Sequence, residues 1–207
     1  IGAGRLITPS TISEYNNKLY VTDKGNRRIL IFPFGPQDSS ITLTDAATNK
    51  EEITLSLSAT GAKEMLVSED SGFGGASWES FNSSKAVVLS DGEGEKEVFV
   101  KLRDYANYEG SVLSASTTLD TSGSTGGITV GNGSLGTSSR NVSLELNASD
   151  NLTTVTLMII GENSNFSTST WETFKTTKDF TLSADEGVKT VSVKFKDSAG
   201  NESSVFS

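Results

Sequence analysis

Trp78-Glu79-Ser80-Phe81, followed by Leu89-Ser90, Gly94 and Lys96, leads into Val98-Phe99-Val100-Lys101-Leu102-Arg103-Asp104. The same plan returns as Trp171-Glu172-Thr173-Phe174, Leu182-Ser183, Gly187, Lys189 and Val191-Ser192-Val193-Lys194-Phe195-Lys196-Asp197. Corresponding residues lie 93 positions apart, and Met65/Met158, Phe73/Phe166 and Val112/Val205 keep that offset. Solenoid and propeller repeats run to about 20 to 50 residues, so this period describes a whole small domain present twice. Within each copy the long run alternates apolar and polar residues. Val98, Val100 and Leu102, and likewise Val191, Val193 and Phe195, therefore share one face of a half-buried strand.

Working outward, Ile53-Thr54-Leu55-Ser56-Leu57-Ser58 alternates in the same way, as does the stretch from Val142 to Leu146. Further short apolar runs fall at Met65–Val67, Ala86–Leu89, Val112–Thr118, Thr154–Ile160 and Ser203–Phe206. Strands at roughly ten-residue spacing with turn residues between them, and no helical period, predict two antiparallel sandwiches. Trp78 and Trp171 are expected in their cores, because an indole supplies a large buried area, with an exposed sugar platform as the alternative. The boundaries read as an N-terminal segment 1–35, a first module 41–122 and a second module 123–207. Residues 33–40 and Gly123-Ser124-Thr125-Gly126-Gly127 carry linker punctuation. Ala59 and Ala148 are offset by only 89, so four extra residues enter the second copy between Asp150 and Thr154.

Before the repeat, Lys18–Thr22 and Arg28–Phe32 flank the turn-forming Asp23-Lys24-Gly25-Asn26, which predicts a β-hairpin. Pro9, Leu19-Tyr20-Val21-Thr22-Asp23, Gly25-Asn26, Arg28-Ile29 and Phe32 resemble one repeat of the NHL β-propeller family. That resemblance implies a structural pair between Asp23 and Arg28; an ordinary hairpin is the alternative. One blade cannot close a propeller. The repeat itself, with Leu119-Asp120-Thr121, Trp-Glu-x-Phe and Lys196-Asp197-Ser198-Ala199-Gly200-Asn201, resembles the immunoglobulin-like (fibronectin type III-like) modules of prokaryotic surface proteins. It implies an all-β fold: two tandem antiparallel immunoglobulin-like β-sandwiches with an N-terminal β-hairpin segment. The first copy departs at Tyr105-Ala106-Asn107, where Ala-Gly-Asn is expected.

Composition narrows the chemistry. Seventeen basic against 26 acidic residues give a net charge of -9, which opposes binding to nucleic acid and to anionic lipid. Cysteine and histidine are both absent. That removes disulfides, thiolate ligands, imidazole-ligated zinc and the Ser-His form of triad hydrolysis. No apolar run approaches the roughly 18 residues of a spanning helix. The first residues do not read as a signal peptide and the chain does not open with Met, so a processed or excised chain is expected.

Carboxylates in turns are candidate calcium ligands: Asp91, Glu93 and Asp104 in the first copy, Asp185, Asp197 and Asn201 in the second. Calcium needs six to eight oxygens converging on one point, and solvated turns are the alternative; no other cofactor is expected. Asn82, Asn132, Asn141, Asn147, Asn151, Asn165 and Asn201 head N-x-Ser/Thr sequons. That is seven of 13 asparagines, where the Ser and Thr content alone gives about 3.5. Glycosylation and compositional bias both account for the excess. No catalytic constellation is apparent. The expected function is a non-enzymatic extracellular or cell-surface stalk, adhesive module or filament subunit, with a homo-oligomer or filament of the same chain as its partner. Accessory modules of a secreted propeller-containing enzyme, with carbohydrate as a ligand, are the alternative. The ends of the chain look complementary: Arg5-Leu6-Ile7-Thr8 is extended, and Val205-Phe206 stand where the first copy continues into a full closing strand. Strand addition between copies, using these residues, is the assembly expected.

Overall fold

The computed structural model describes residues 6–15 and 18–207, so Arg5 lies outside the described residues. Strands β1 (Pro9–Tyr15), β2 (Lys18–Asp23) and β3 (Arg28–Pro33) form an antiparallel sheet in that order. A short 3-10 turn joins β2 to β3, with Arg27 at a left-handed φ of 48° closing it. The turn is held by Asp23, which is completely buried. Its Oδ2 accepts from Asn26 Nδ2 at 2.6 Å and Arg28 Nε at 3.3 Å, and its Oδ1 accepts from the Ile7 amide at 3.1 Å. The Asn26 hydrogen bond, ahead of burial and the other donors, holds the Asp23 carboxyl below its ordinary pKa. Gly25 has to be glycine, because a Cβ there would approach the Ile7 carbonyl oxygen to 2.6 Å.

The first sandwich pairs β4 (Gln37–Leu43), β6 (Glu52–Thr60) and β9 (Ser84–Val88) in the order β4-β6-β9. Its other sheet contains β7 (Glu64–Ser68), β8 (Glu79–Ser80), β10 (Gly94–Arg103) and β11 (Leu113–Leu119), ordered β11-β10-β7-β8. Leu55 and Leu57 on β6 and Val98, Val100 and Leu102 on β10 are buried, as the alternation predicts, and Met65 on β7 joins them. The expected linker 33–40 is shorter than its punctuation, since β4 already begins at Gln37. The last residues of β11 pair in parallel with the two-residue strand β5 (Ala47–Thr48).

The second sandwich repeats the plan with β12 (Thr125–Val130), β13 (Asn141–Ser149) and β16 (Thr177–Thr181) in one sheet. The other holds β14 (Val155–Gly161), β15 (Glu172–Thr173) and β17 (Ser192–Asp197). Val142, Leu144 and Leu146 face Met158, Ile160, Val191, Val193 and Phe195 in one core, with Phe174 and Phe206 packed against it. The glycine-rich stretch 123–127 is not a flexible linker: β12 starts at Thr125. Gly126 is the point where backbone meets core, since a Cβ there would lie 2.7 Å from the Phe195 ring. Among the described residues no helix is long and apolar enough to cross a membrane.

The repeat extends to contacts. Lys85 bonds Glu79 at 2.7 Å and Lys178 bonds Glu172 at 2.5 Å; Phe73 and Phe166 both take left-handed φ, 57° and 52°. The tryptophans depart from expectation in both copies. Each is half-buried, with Arg103 4.3 Å over the Trp78 ring and Lys196 4.4 Å over Trp171. The methionine and strand residues fill the cores, and each indole instead lies on the outer face of its sheet under a cation. The described residues divide into two compact units. One holds residues up to Thr44 with Glu52–Leu89 and Glu97–Ser116; the other holds Asp45–Glu51, Ser90–Lys96 and Thr117–Ser207.

Phe195→Ala, at a fully buried position, is expected to cost about 3 to 5 kcal/mol through lost burial and a cavity. Trp171→Ala should cost less, about 1 to 2 kcal/mol, from partial burial and one cation–π contact. Chemical denaturation of the two variants checks the ranking.

Candidate functional site

The site is built by the strand pleat at one end of the second sandwich. Gly126 pairs with Ala148 and lies over Phe195. Side chains two residues further along a strand return to the same face, which brings Ser124, Asp150 and Asp197 to the next layer. Asp120 enters the same layer after β11, its amide donating to the Thr48 carbonyl at 2.9 Å. One carboxylate oxygen from each of Asp120, Asp150 and Asp197 lies within 4.8 Å of the others. Asp120 and Asp197 are buried and Asp150 is half-buried.

Each carboxylate is fixed by donors. Asp120 accepts from the Ser122 amide at 3.1 Å and from Thr153 Oγ1 at 2.6 Å, while Asn201 Nδ2 donates to its carbonyl at 2.8 Å. Asp150 Oδ1 accepts from the amides of Leu152 and Thr153 at 3.0 and 3.1 Å. Asp197 Oδ1 accepts from the amides of Gly200 and Asn201 at 2.8 and 2.9 Å, and its Oδ2 from Asn201 Nδ2 at 3.0 Å. Burial pushes the Asp120 carboxyl up, and the charges of Asp150 and Asp197 push the same way. Burial also works to raise Asp150, but the amides of Leu152, Thr153 and Asn151 outweigh it and leave that group below its ordinary value. A shallow depression of about 220 Å³, lined by Gly123, Thr125, Ser149, Asp150 and Asn151, opens beside Asp150.

Of the residues that the sequence pointed to as calcium ligands, Asp197 takes part in this cluster and Asn201 supports it. Asp91 and Asp185 are exposed in turns. Glu93 accepts from Thr121 Oγ1 at 2.6 Å, Ser122 Oγ at 2.9 Å and the Thr121 amide at 2.9 Å, bonds that hold it below its ordinary pKa. Asp104 is committed to the amides of Ala106, Tyr108 and Gly35. Sequence reasoning missed Asp120 and Asp150. The available signal was the insertion in the second copy: its loop supplies Thr153 and positions Asp150, where the first copy has Gly61.

Six sequon asparagines, Asn82, Asn132, Asn141, Asn147, Asn151 and Asn165, are exposed, whereas Asn201 is buried with its amide nitrogen engaged twice. Leu6 and Ile7 are exposed, but the Ile7 amide and the Thr8 carbonyl are tied to the β2–β3 turn. Val205 is 40% exposed, and Phe206 exchanges two 2.9 Å backbone bonds with Val193.

No family model matches the chain, and no curated protein matches it in sequence. Among solved structures it is similar to the fibronectin(III)-like modules of CbhA from Clostridium thermocellum, at 9% identity and TM-score 0.46, over 80% of this chain and 90% of that one. It is also similar to the FN1–FN3 domains of chicken CNTN1, at 9% identity and TM-score 0.48, over 91% and 72%. A two-domain fibronectin type III segment of chicken tenascin matches at 13% identity and TM-score 0.33, over 83% and 95%.

Arg103 bridges Trp78 and Glu64, with Nε 2.7 Å from Glu64 Oε2. The Arg103 hydrogen bond, ahead of burial, holds the Glu64 carboxyl below its ordinary pKa. A lowered folded-state pKa adds stability above the unfolded value and loses it as pH falls through the folded one. Glu64→Gln should therefore lower the melting temperature at neutral pH, with the difference closing as the pH falls through the acid range. Melts across the acid range test the direction.

Proposed function

We propose that this chain is a non-enzymatic structural and interaction protein of the extracellular or cell-surface kind, a stalk or filament subunit built from immunoglobulin-like modules. One observation carries the assembly reading: β1 is an exposed strand at the edge of its sheet, and the run that precedes β17 is largely exposed and lies outside any strand. Every residue of β1 is exposed, and its sheet leaves Ile12, Tyr15, Ile29 and Ile31 53 to 67% exposed. In the first sandwich β10 spans Gly94–Arg103, while its copy in the second, β17, spans only Ser192–Asp197. Residues 187–191 run along no strand there, and Val188 is 99% exposed.

An edge strand with unpaired backbone groups is a template for pairing. The reading is that β1 of one copy adds to the 187–191 edge of another, extending β17 to the length of β10. Such a contact joins two different surfaces and propagates head to tail. The donor is β1 and not Leu6–Thr8, which serve their own turn. The exposed sequons fit an extracellular surface, and glycans at Asn132 or Asn165 would leave both edges clear in sequence. Carbohydrate binding by the tryptophans is less well supported, because a cation covers one face of each ring.

Lys189→Pro removes a backbone donor from the acceptor edge and should abolish assembly while leaving a folded monomer. Removal of residues 6–15 should do the same. Sedimentation velocity and negative-stain microscopy read the outcome. A full chain that stays monomeric at high concentration, or variants that assemble like the parent, would sink the idea.

A further inference from the structure

We propose that Asp120, Asp150 and Asp197, with the hydroxyl of Ser124, form a calcium-binding site at the end of the second sandwich. Three carboxylates converge there within 4.8 Å, and two of them are buried. An independent observation points to a ligand. Ser124 is 3% exposed, and its Oγ is one of two buried side-chain polar atoms among the described residues with no hydrogen-bond partner. Thr125 turns outward, its hydroxyl bonding the Ser149 carbonyl at 3.3 Å, so Ser124 points to the inner face. Its place opposite Asp150 follows by extending the Thr125–Ser149 pairing one residue. A buried hydroxyl without a partner is unfavourable; a cation among the carboxylates gives it one.

The donor set is all oxygen, which selects a hard cation. Calcium accepts six to eight oxygens at about 2.3 to 2.6 Å in flexible geometry, whereas magnesium requires a tight octahedron at about 2.0 to 2.1 Å. Three carboxylate oxygens that all lie within 4.8 Å of one another are near enough to share one ion, and calcium's flexible shell tolerates their irregular arrangement. The depression beside Asp150 has room for the water that the rest of the shell requires. Thr153 Oγ1 on Asp120 and Asn201 Nδ2 on Asp197 orient the ligands as outer-shell donors, and each accepting oxygen keeps a second lone pair. The first copy lacks one of the carboxylates, since Gly61 stands at the place of Asp150.

The test titrates the full chain, freed of metal with chelator, with calcium chloride by isothermal calorimetry, beside melts with and without calcium. Binding with a dissociation constant of about 10⁻⁴ to 10⁻³ M is expected, the range of extracellular calcium modules. The melting temperature should rise with calcium and fall back with EDTA. Asp150→Asn should weaken binding at least about tenfold, Ser124→Ala less, and Asp185→Asn not at all. Ser124→Ala removes a single oxygen and keeps the test alive should Asp150→Asn fail to fold. No heat and no melting shift at about 10 mM calcium, binding unchanged in both Asp150→Asn and Ser124→Ala, or magnesium binding as tightly as calcium would each overturn the assignment.

Discussion

Each sandwich rests on the burial of one face of one strand. Val98, Val100 and Leu102 in the first, and Val191, Val193 and Phe195 in the second, are all at most 4% exposed. Because side chains alternate, a slip of one residue would exchange these for Phe99, Lys101 and Arg103, or for Ser192, Lys194 and Lys196. Burying unpaired ammonium groups in a core is prohibitive, so the register is held far more firmly than any single contact would hold it. The outer face follows from the same choice. With register fixed, Arg103 and Lys196 stand outside and settle on the indoles, and Lys101 and Lys194 reach Glu109 and Glu202 at 3.2 and 2.9 Å.

This is why so much of the fold was legible. Period-2 alternation reports directly on which face meets the core, and the second copy provides a check on most strands of the first. The Asp23 turn was legible for a related reason, since a short acceptor followed by Gly and Asn constrains the local backbone. What could not be read is whatever depends on the space between strands. Trp78 and Trp171 have core-like composition, but their burial is decided by the cation opposite, which no spacing specifies. Gly123–Gly127 has the composition of a linker, yet Gly126 is demanded by the Phe195 ring on another strand.

The acidic cluster shows the same limit. Asp197 was visible because its turn is local: Asp197, Gly200 and Asn201 bond one another within four residues. Asp120 and Asp150 were not, since they join it from 77 and 47 positions away. A different sort of reading would have found them, one that asks where two copies of a module differ and not where they agree. The four inserted residues make the only length change between Ala59 and Ser114 and their counterparts, and that change lies beside Asp150.

The divergence of the two copies follows from how a sandwich distributes constraint. Strand positions are held by both sheets at once, so Leu144 and Leu55, or Val193 and Val100, stay interchangeable across the repeat. Turns at the sandwich ends are held by a few hydrogen bonds, and a four-residue insertion there costs little more than slightly longer loop closure. The second copy has taken that freedom at the end where Asp197 already offered a carboxylate. A buried carboxylate next to two others is unfavourable by itself. That cost is met locally, by the amides and the hydroxyl from which Asp120, Asp150 and Asp197 accept, and not by any burial the three groups contribute to the core.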